Sequence, residues 1–175
     1  VVVAKQLSSG YQPISALLIS DAVYQVIREQ SAGFGMFGHG YTYSGHPVPA
    51  AVALETLKIY EERNLVERVR ELAPRFAKAL QSVSSHPLIG TSRSLGLIGA
   101  VELVRNKTQK EFFDPSFKVG AHLVARAQEH GLILRVLPGD IIAFCPPLII
   151  SESEMDEMFL RFEKALEDTT NHFSS

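Results

Sequence analysis

The sequence predicts a mixed α/β chain: an α/β segment over residues 1–63, joined to an α+β unit over 64–175. Three observations predict it. Val1–Ala4 is apolar throughout, the composition of a strand buried on both faces. Beyond Asn64, the residues Leu65, Val66, Val69, Leu72, Phe76 and Leu80 recur at three- and four-residue spacing, the period of an amphipathic helix. Beyond Pro87, short apolar runs alternate with turn residues, as strands of an α+β unit do.

The elements follow in order. Lys5 stands where the first strand must end, and a polar loop runs from Gln6 to Ile14. Ala16–Ile19 reads as a second strand. Ser20 and Asp21 then offer cap oxygens to a helix reaching about Glu29. The glycine-rich stretch Ser31–Pro47 fits no periodic element, and helical patterning returns over Val48–Glu62. Asn64 can cap the next helix, with a domain boundary near Arg63–Asn64. Gly96–Leu103 alternates as a strand and gives way to the polar turn Arg105–Lys110. Lys118–His130 reads as a helix closed by Gly131. Leu132–Leu137 and Ile141–Phe144 read as strands about the turn Pro138-Gly139-Asp140. After Pro146-Pro147, Ser151 and Glu154 form a capping box for a last helix, whose Met155, Met158, Phe159, Phe162 and Leu166 face the core. The opening on Val1, inside a strand, predicts the later part of a longer protein.

Composition removes several function classes. The 175 residues carry a net charge of −2 and no lysine/arginine cluster able to track phosphates, so nucleic acid is not expected as a partner. Cys145 is the single cysteine and cannot form an intrachain disulfide, which fits a reducing, cytoplasmic setting. No apolar run reaches the ~18 residues of a membrane span.

Three apparent motifs dissolve on inspection. Gly33, Gly35 and Gly38 match G-x-G-x-x-G, but no strand precedes them and no helix opens on them, so nothing would meet a pyrophosphate. His39, His46 and Cys145 match no zinc spacing. Ser8 and Ser9 lack the G-x-S-x-G frame of a nucleophile elbow and read as turn serines.

Lys5 does not dissolve. A lysine at the end of a strand either reaches water or is held partly dehydrated for chemistry. The second constellation, Gly40-Tyr41-Thr42-Tyr43-Ser44-Gly45-His46-Pro47, places backbone N–H groups and hydroxyls just ahead of a helix start, a setting suited to phosphate. A lysine able to form a Schiff base together with a phosphate-gripping threonine points to pyridoxal phosphate.

At these residues a family resemblance becomes definite. Ala4-Lys5-Gln6-Leu7-Ser8-Ser9-Gly10-Tyr11-Gln12-Pro13 resembles the cofactor-lysine segment of class III pyridoxal-phosphate aminotransferases. His39 to Pro47 resembles that family's phosphate-binding loop, with Lys5 and Thr42 at its spacing of 37 positions. Arg93 to Leu97, Gly131 to Arg135 and Pro146 to Ile150 are similar to later landmarks, with Ser94 standing where the family usually has glycine. Within the family the chain is most similar to the amine:pyruvate, or ω-transaminase, branch.

The resemblance implies the end of the large domain of a fold-type I pyridoxal-phosphate-dependent transferase over 1–63, followed by its α+β C-terminal small domain over 64–175. It implies that Lys5 is both covalent anchor of pyridoxal 5'-phosphate and general acid/base. It implies that Thr42, helped by the backbone N–H of Tyr41 or Tyr43, grips the phosphate of the neighbouring subunit's cofactor. Arg135 becomes a mobile clamp for a substrate carboxylate. The implied assembly is a homodimer, or a dimer of dimers, with shared active sites, acting on an amine or ω-amino acid and a 2-oxo acid such as pyruvate. A decarboxylase or aminomutase would share the lysine. The family's upstream phosphate loop, ring-stacking aromatic and pyridine-nitrogen aspartate are not in these residues, so the segment alone is expected to be inactive.

Overall fold

The computed structural model describes residues 1–173, which divide into two units, Val1–Asn64 and a second beginning at Leu65. Positions 174 and 175, the end of the expected 64–175 domain, lie outside the described residues.

In the first unit, strand β1 (Val2–Ala4) pairs antiparallel with β2 (Ser15–Leu17), Val3 opposite Ala16. The expected burial on both faces is not met: Val1 and Val2 are exposed and Val3 is half-buried. A strand is buried on both faces only inside a covered sheet, and β2 is the only strand paired with β1 among the described residues. Helix α1 (Asp21–Phe34) starts as expected, with Ser20 Oγ accepting the Val23 N–H at 3.5 Å. It runs five residues past Glu29 and takes in Gly33. One interior glycine costs only about 1 kcal/mol, and Ser31 Oγ donates back to the Ile27 carbonyl at 2.7 Å without ending the helix. Gly35, at φ 93°, ends it. Helix α2 (Pro47–Glu62) opens on a proline, which needs no N–H partner there.

The second unit begins with α3 (Leu65–Val83). Asn64 has φ 47°, so it makes the corner instead of taking the extended geometry of a capping residue. A four-stranded antiparallel sheet follows in the order β3-β4-β6-β5, formed by β3 (Ile89–Leu95), β4 (Ile98–Leu103), β5 (Arg135–Leu137) and β6 (Ile141–Phe144). The sequence reading missed β3, whose residues IGTSRSL are mostly polar because it is an exposed edge. It also began β5 at Leu132, three residues too early. Gly99, Val101 and Leu103 of β4 share the buried face with Ile142 and Phe144 of β6. A Cβ on Gly99 would lie 2.8 Å from the Phe76 ring of α3, so the close helix–sheet approach requires glycine there. Helices α4 (Val119–Glu129) and α5 (Glu152–Phe173) complete the core, with Phe144 stacked on Phe159 and edge-on to Phe162. The capping box forms as read: Ser151 N–H donates to Glu154 Oε2 at 2.8 Å, and Glu154 N–H donates to Ser151 Oγ at 3.2 Å.

Candidate active site

Lys5 follows β1 directly and has φ 52°, a left-handed conformation that a residue with a Cβ adopts only when its surroundings hold it there. Several bonds do so. The Lys5 carbonyl accepts the Gly10 N–H at 3.2 Å, and the Gln6 carbonyl accepts the Ser9 N–H at 3.1 Å. The Tyr60 hydroxyl, from the last turns of α2, donates to the same Gln6 carbonyl at 3.2 Å. Ser8 is fully buried; its hydroxyl donates to the Gln12 carbonyl at 2.6 Å and accepts the Gln12 N–H at 3.4 Å. The turn-serine reading of Ser8 was right as to chemistry and missed the burial, which only tertiary packing creates.

The Lys5 side chain itself is exposed and has no hydrogen bond or ion pair with any described residue. Partial burial was expected. The first unit supplies only the floor beneath the lysine, the 3-10 turn Lys5–Ser8, and no walls about its amine.

The loop before α2 is two linked turns. Ser44 N–H donates to the Tyr41 carbonyl at 2.9 Å, and His46 N–H donates to the Tyr43 carbonyl at 3.1 Å. Tyr41 N–H is taken by Ser44 Oγ at 3.0 Å, so of the two expected backbone donors only the Tyr43 N–H is free. The Thr42 hydroxyl, the Thr42 N–H and the Tyr43 N–H have no partner among the described residues. His46 Nδ1 accepts the Val48 N–H at 3.1 Å and so caps α2, a task its spacing did not reveal. His39 is edge-on to Tyr41, with ring centroids 5.6 Å apart. Gln12, Ser15, Tyr41, Tyr43, His46 and Ala50 line a cleft of about 780 Å³ between the lysine loop and this loop. Neither Lys5 nor Thr42 lines it, and no hydrogen bond joins the two.

Arg135, in the second unit, opens the edge strand β5 opposite Ala143. It is exposed and unpaired among the described residues, whereas Arg75 is gripped by Glu152 at 2.8 Å and Asp156 at 2.6 Å. The turn after β5 does not loosen it. Asp140 Oδ1 accepts the Gly120 N–H at 3.0 Å, tying that turn to the start of α4, where Lys118 makes no side-chain cap. The turn is thus anchored at Asp140, while the Arg135 side chain stays free to reorient.

The family model for class-III aminotransferases matches residues 1–166. A chloroplastic gamma aminobutyrate transaminase 3 of Solanum lycopersicum is 49% identical over 171 residues, 98% of this chain and 33% of the relative. A solved thermostable omega transaminase engineered for enantiopure bulky amines superposes with a TM-score of 0.91 at 48% identity, covering 98% of this chain and 38% of that one. The PMP-bound form of an aminotransferase from Vibrio fluvialis gives 0.93 at 35% identity, covering 97% and 37%. The chain thus spans about a third of the length of the curated relatives it matches. The expected fold class, a segment of a fold-type I pyridoxal-phosphate-dependent transferase, agrees with these superpositions.

Proposed function

The chain belongs to the class-III aminotransferase family, and from that premise we propose that it carries the cofactor lysine and phosphate loop of a transaminase. The reaction moves an amino group between an amine or ω-amino acid and a 2-oxo acid such as pyruvate. One observation carries the reading: three free donors, the Thr42 hydroxyl, Thr42 N–H and Tyr43 N–H, stand immediately ahead of α2. Free N–H groups and a hydroxyl in a turn that leads into a helix suit a phosphate. They fit the phosphate of pyridoxal 5'-phosphate, and the free Lys5 amine fits its aldehyde. Tyr41 would join only by exchanging Ser44 Oγ for phosphate.

When bound, pyridoxal 5'-phosphate supplies the electron sink for breaking a bond at the amine-bearing carbon. The remaining work belongs to the chain. Lys5 Nζ holds the cofactor and, once released, takes a proton from the substrate carbon and returns one, as general base and then acid. Arg135 meets a substrate carboxylate with its planar fork of donors and extends to water when none is present. In this reading Thr42 serves the neighbouring subunit's cofactor, as the resemblance to class-III aminotransferases implies, so the working unit is a homodimer or dimer of dimers. The ω-transaminase branch is supported by the 48% identity to the engineered omega transaminase. The segment alone is inactive in this account, since Lys5 stands without walls.

Among the described residues no helix is long and apolar enough to cross a membrane. A cytoplasmic location is proposed on the single cysteine, Cys145; the plastid named for the Solanum lycopersicum relative is the alternative that organelle fractionation decides. The function is tested by giving a full-length subunit containing this segment an arylalkylamine and pyruvate. Alanine should accumulate with one equivalent of ketone. Ketone-free consumption of the amine, or loss of carbon dioxide from an amino acid donor, overturns the transaminase reading.

A further inference from the structure

The chain spends its one buried hydroxyl near Lys5 on the loop that follows it. Three polar side chains are buried among the described residues: Ser8, Thr56 and Thr169. Thr56 and Thr169 each donate to a carbonyl four residues earlier in their own helix, at 2.9 and 2.7 Å, and so explain themselves locally. Ser8 is different. Its hydroxyl bridges both backbone groups of Gln12, and Tyr11 N–H returns to the Ser8 carbonyl at 3.0 Å. The effect is a closed loop standing on the 3-10 turn that contains Lys5.

We propose that Ser8, assisted by Tyr60, is a positioning residue that aims the Lys5 amine by holding its backbone in the left-handed conformation. Lys5 at φ 52° is strained, and relaxation to an ordinary extended or helical φ would swing its Cα–Cβ bond away. Two clamps oppose that swing. From one side, the Ser8–Gln12 bridge keeps Gly10 where its N–H reaches the Lys5 carbonyl at 3.2 Å. From the other, the Tyr60 hydroxyl fixes the Gln6 carbonyl, the next peptide along, to α2. A proton-transferring amine must be placed to well within an ångström, and the direction of the Lys5 Cα–Cβ bond, set by its backbone, fixes where the side chain starts.

This inference rests on Lys5 being the cofactor lysine, and the experiment keeps the two apart. The variants are Ser8→Ala, which removes the buried bridge, and Tyr60→Phe, which removes only an accessible hydroxyl and leaves the ring. Each is made in the full-length subunit loaded with pyridoxal 5'-phosphate. Borohydride labelling of the unmodified enzyme comes first, and a label absent from Lys5 overturns the transaminase reading itself. With Lys5 labelled, both variants should retain cofactor while kcat with an arylalkylamine and pyruvate falls about tenfold and KM stays within about twofold. The pH midpoint of the visible cofactor band should move by about half a unit or more, because the amine's surroundings have changed. Unaltered kcat and midpoint, with only a lowered Tm, would show that Ser8 and Tyr60 support the loop without aiming the lysine. If Ser8→Ala does not fold, the same two outcomes for Tyr60→Phe decide the matter.

Discussion

In the proposed reading Thr42 and Lys5 would work by opposite means, one through free donors and the other through a held backbone. The Thr42 hydroxyl has no partner among the described residues, so removing it disturbs none of the bonds seen to hold the loop. Thr42→Ala should therefore leave the fold intact and weaken cofactor retention by ~1.5 to 3 kcal/mol, the worth of a hydrogen bond to a charged group. Equilibrium dialysis of pyridoxal 5'-phosphate checks this, and unchanged retention would remove Thr42 from the phosphate site. Both candidates were singled out by local patterns, a lysine behind an apolar strand and a hydroxyl ahead of a helix. Ser8 was half legible: a serine beside a glycine announces a turn, but burial depends on what α2 and the loop bring over it. The choice between Tyr41 and Tyr43 was not legible at all, since it turns on which N–H Ser44 Oγ captures.

Helices were readable where their caps were readable. The Ser20 start of α1 and the Ser151–Glu154 box of α5 are short-range hydrogen bonds written in adjacent residues. Edges of the sheet were not, because β3 is exposed and polar and β5 pairs along only three residues. The cap of α4 comes from Asp140, twenty positions away, and could not be seen in local sequence. Asp140→Ala should cost about 1 kcal/mol, within the usual range for a lost cap, read as a lower urea midpoint. An unchanged midpoint would mean that water replaces the carboxylate fully. Acid should weaken the second unit, where His86, His122, Asp114 and Glu154 are all held below their ordinary values; His122 and Glu154 illustrate the two kinds of group. His122 of α4 stacks on His172 of α5 with centroids 4.4 Å apart. Burial first, then the charges of His172 and Arg126, hold His122 below the ordinary imidazole range, against Asp168 and Glu129. A histidine depressed on folding stabilises the native state above its unfolded value of about 6.5, and that stability is lost as pH falls through the folded value. Glu154, held low by the Ser151 N–H and then its hydroxyl, adds a second loss once pH falls below the usual carboxylate range. The urea midpoint should fall from pH 8 to pH 5.5, and His122→Gln should remove the part of that fall not due to the likewise depressed His86. A midpoint that rises on acidification would contradict the assignment.

At the scale of the whole molecule, the candidate residues are Lys5 and Thr42 in the first unit and Arg135 in the second. In the proposed reaction Arg135 would pair with a carboxylate in one half-reaction and face none in the other. A fixed, buried cation left unpaired would be costly, whereas an exposed arginine on a strand edge returns to water. Arg135→Ala should lower kcat/KM for alanine and pyruvate by about 10- to 100-fold. Its half-reaction with an arylalkylamine should change much less, and equal losses would make Arg135 structural. The family was legible because its motifs are separated in sequence yet kept in order. The exposure of Lys5 was not, because burial depends on packing that a local sequence pattern does not specify. The central claim is that Lys5 carries the cofactor, and one measurement meets it directly: borohydride reduction of the loaded full-length enzyme, followed by peptide mapping. The account predicts a pyridoxyl group on Lys5 and none in the Lys5→Ala variant. A label on Lys58 or Lys118 would contradict it.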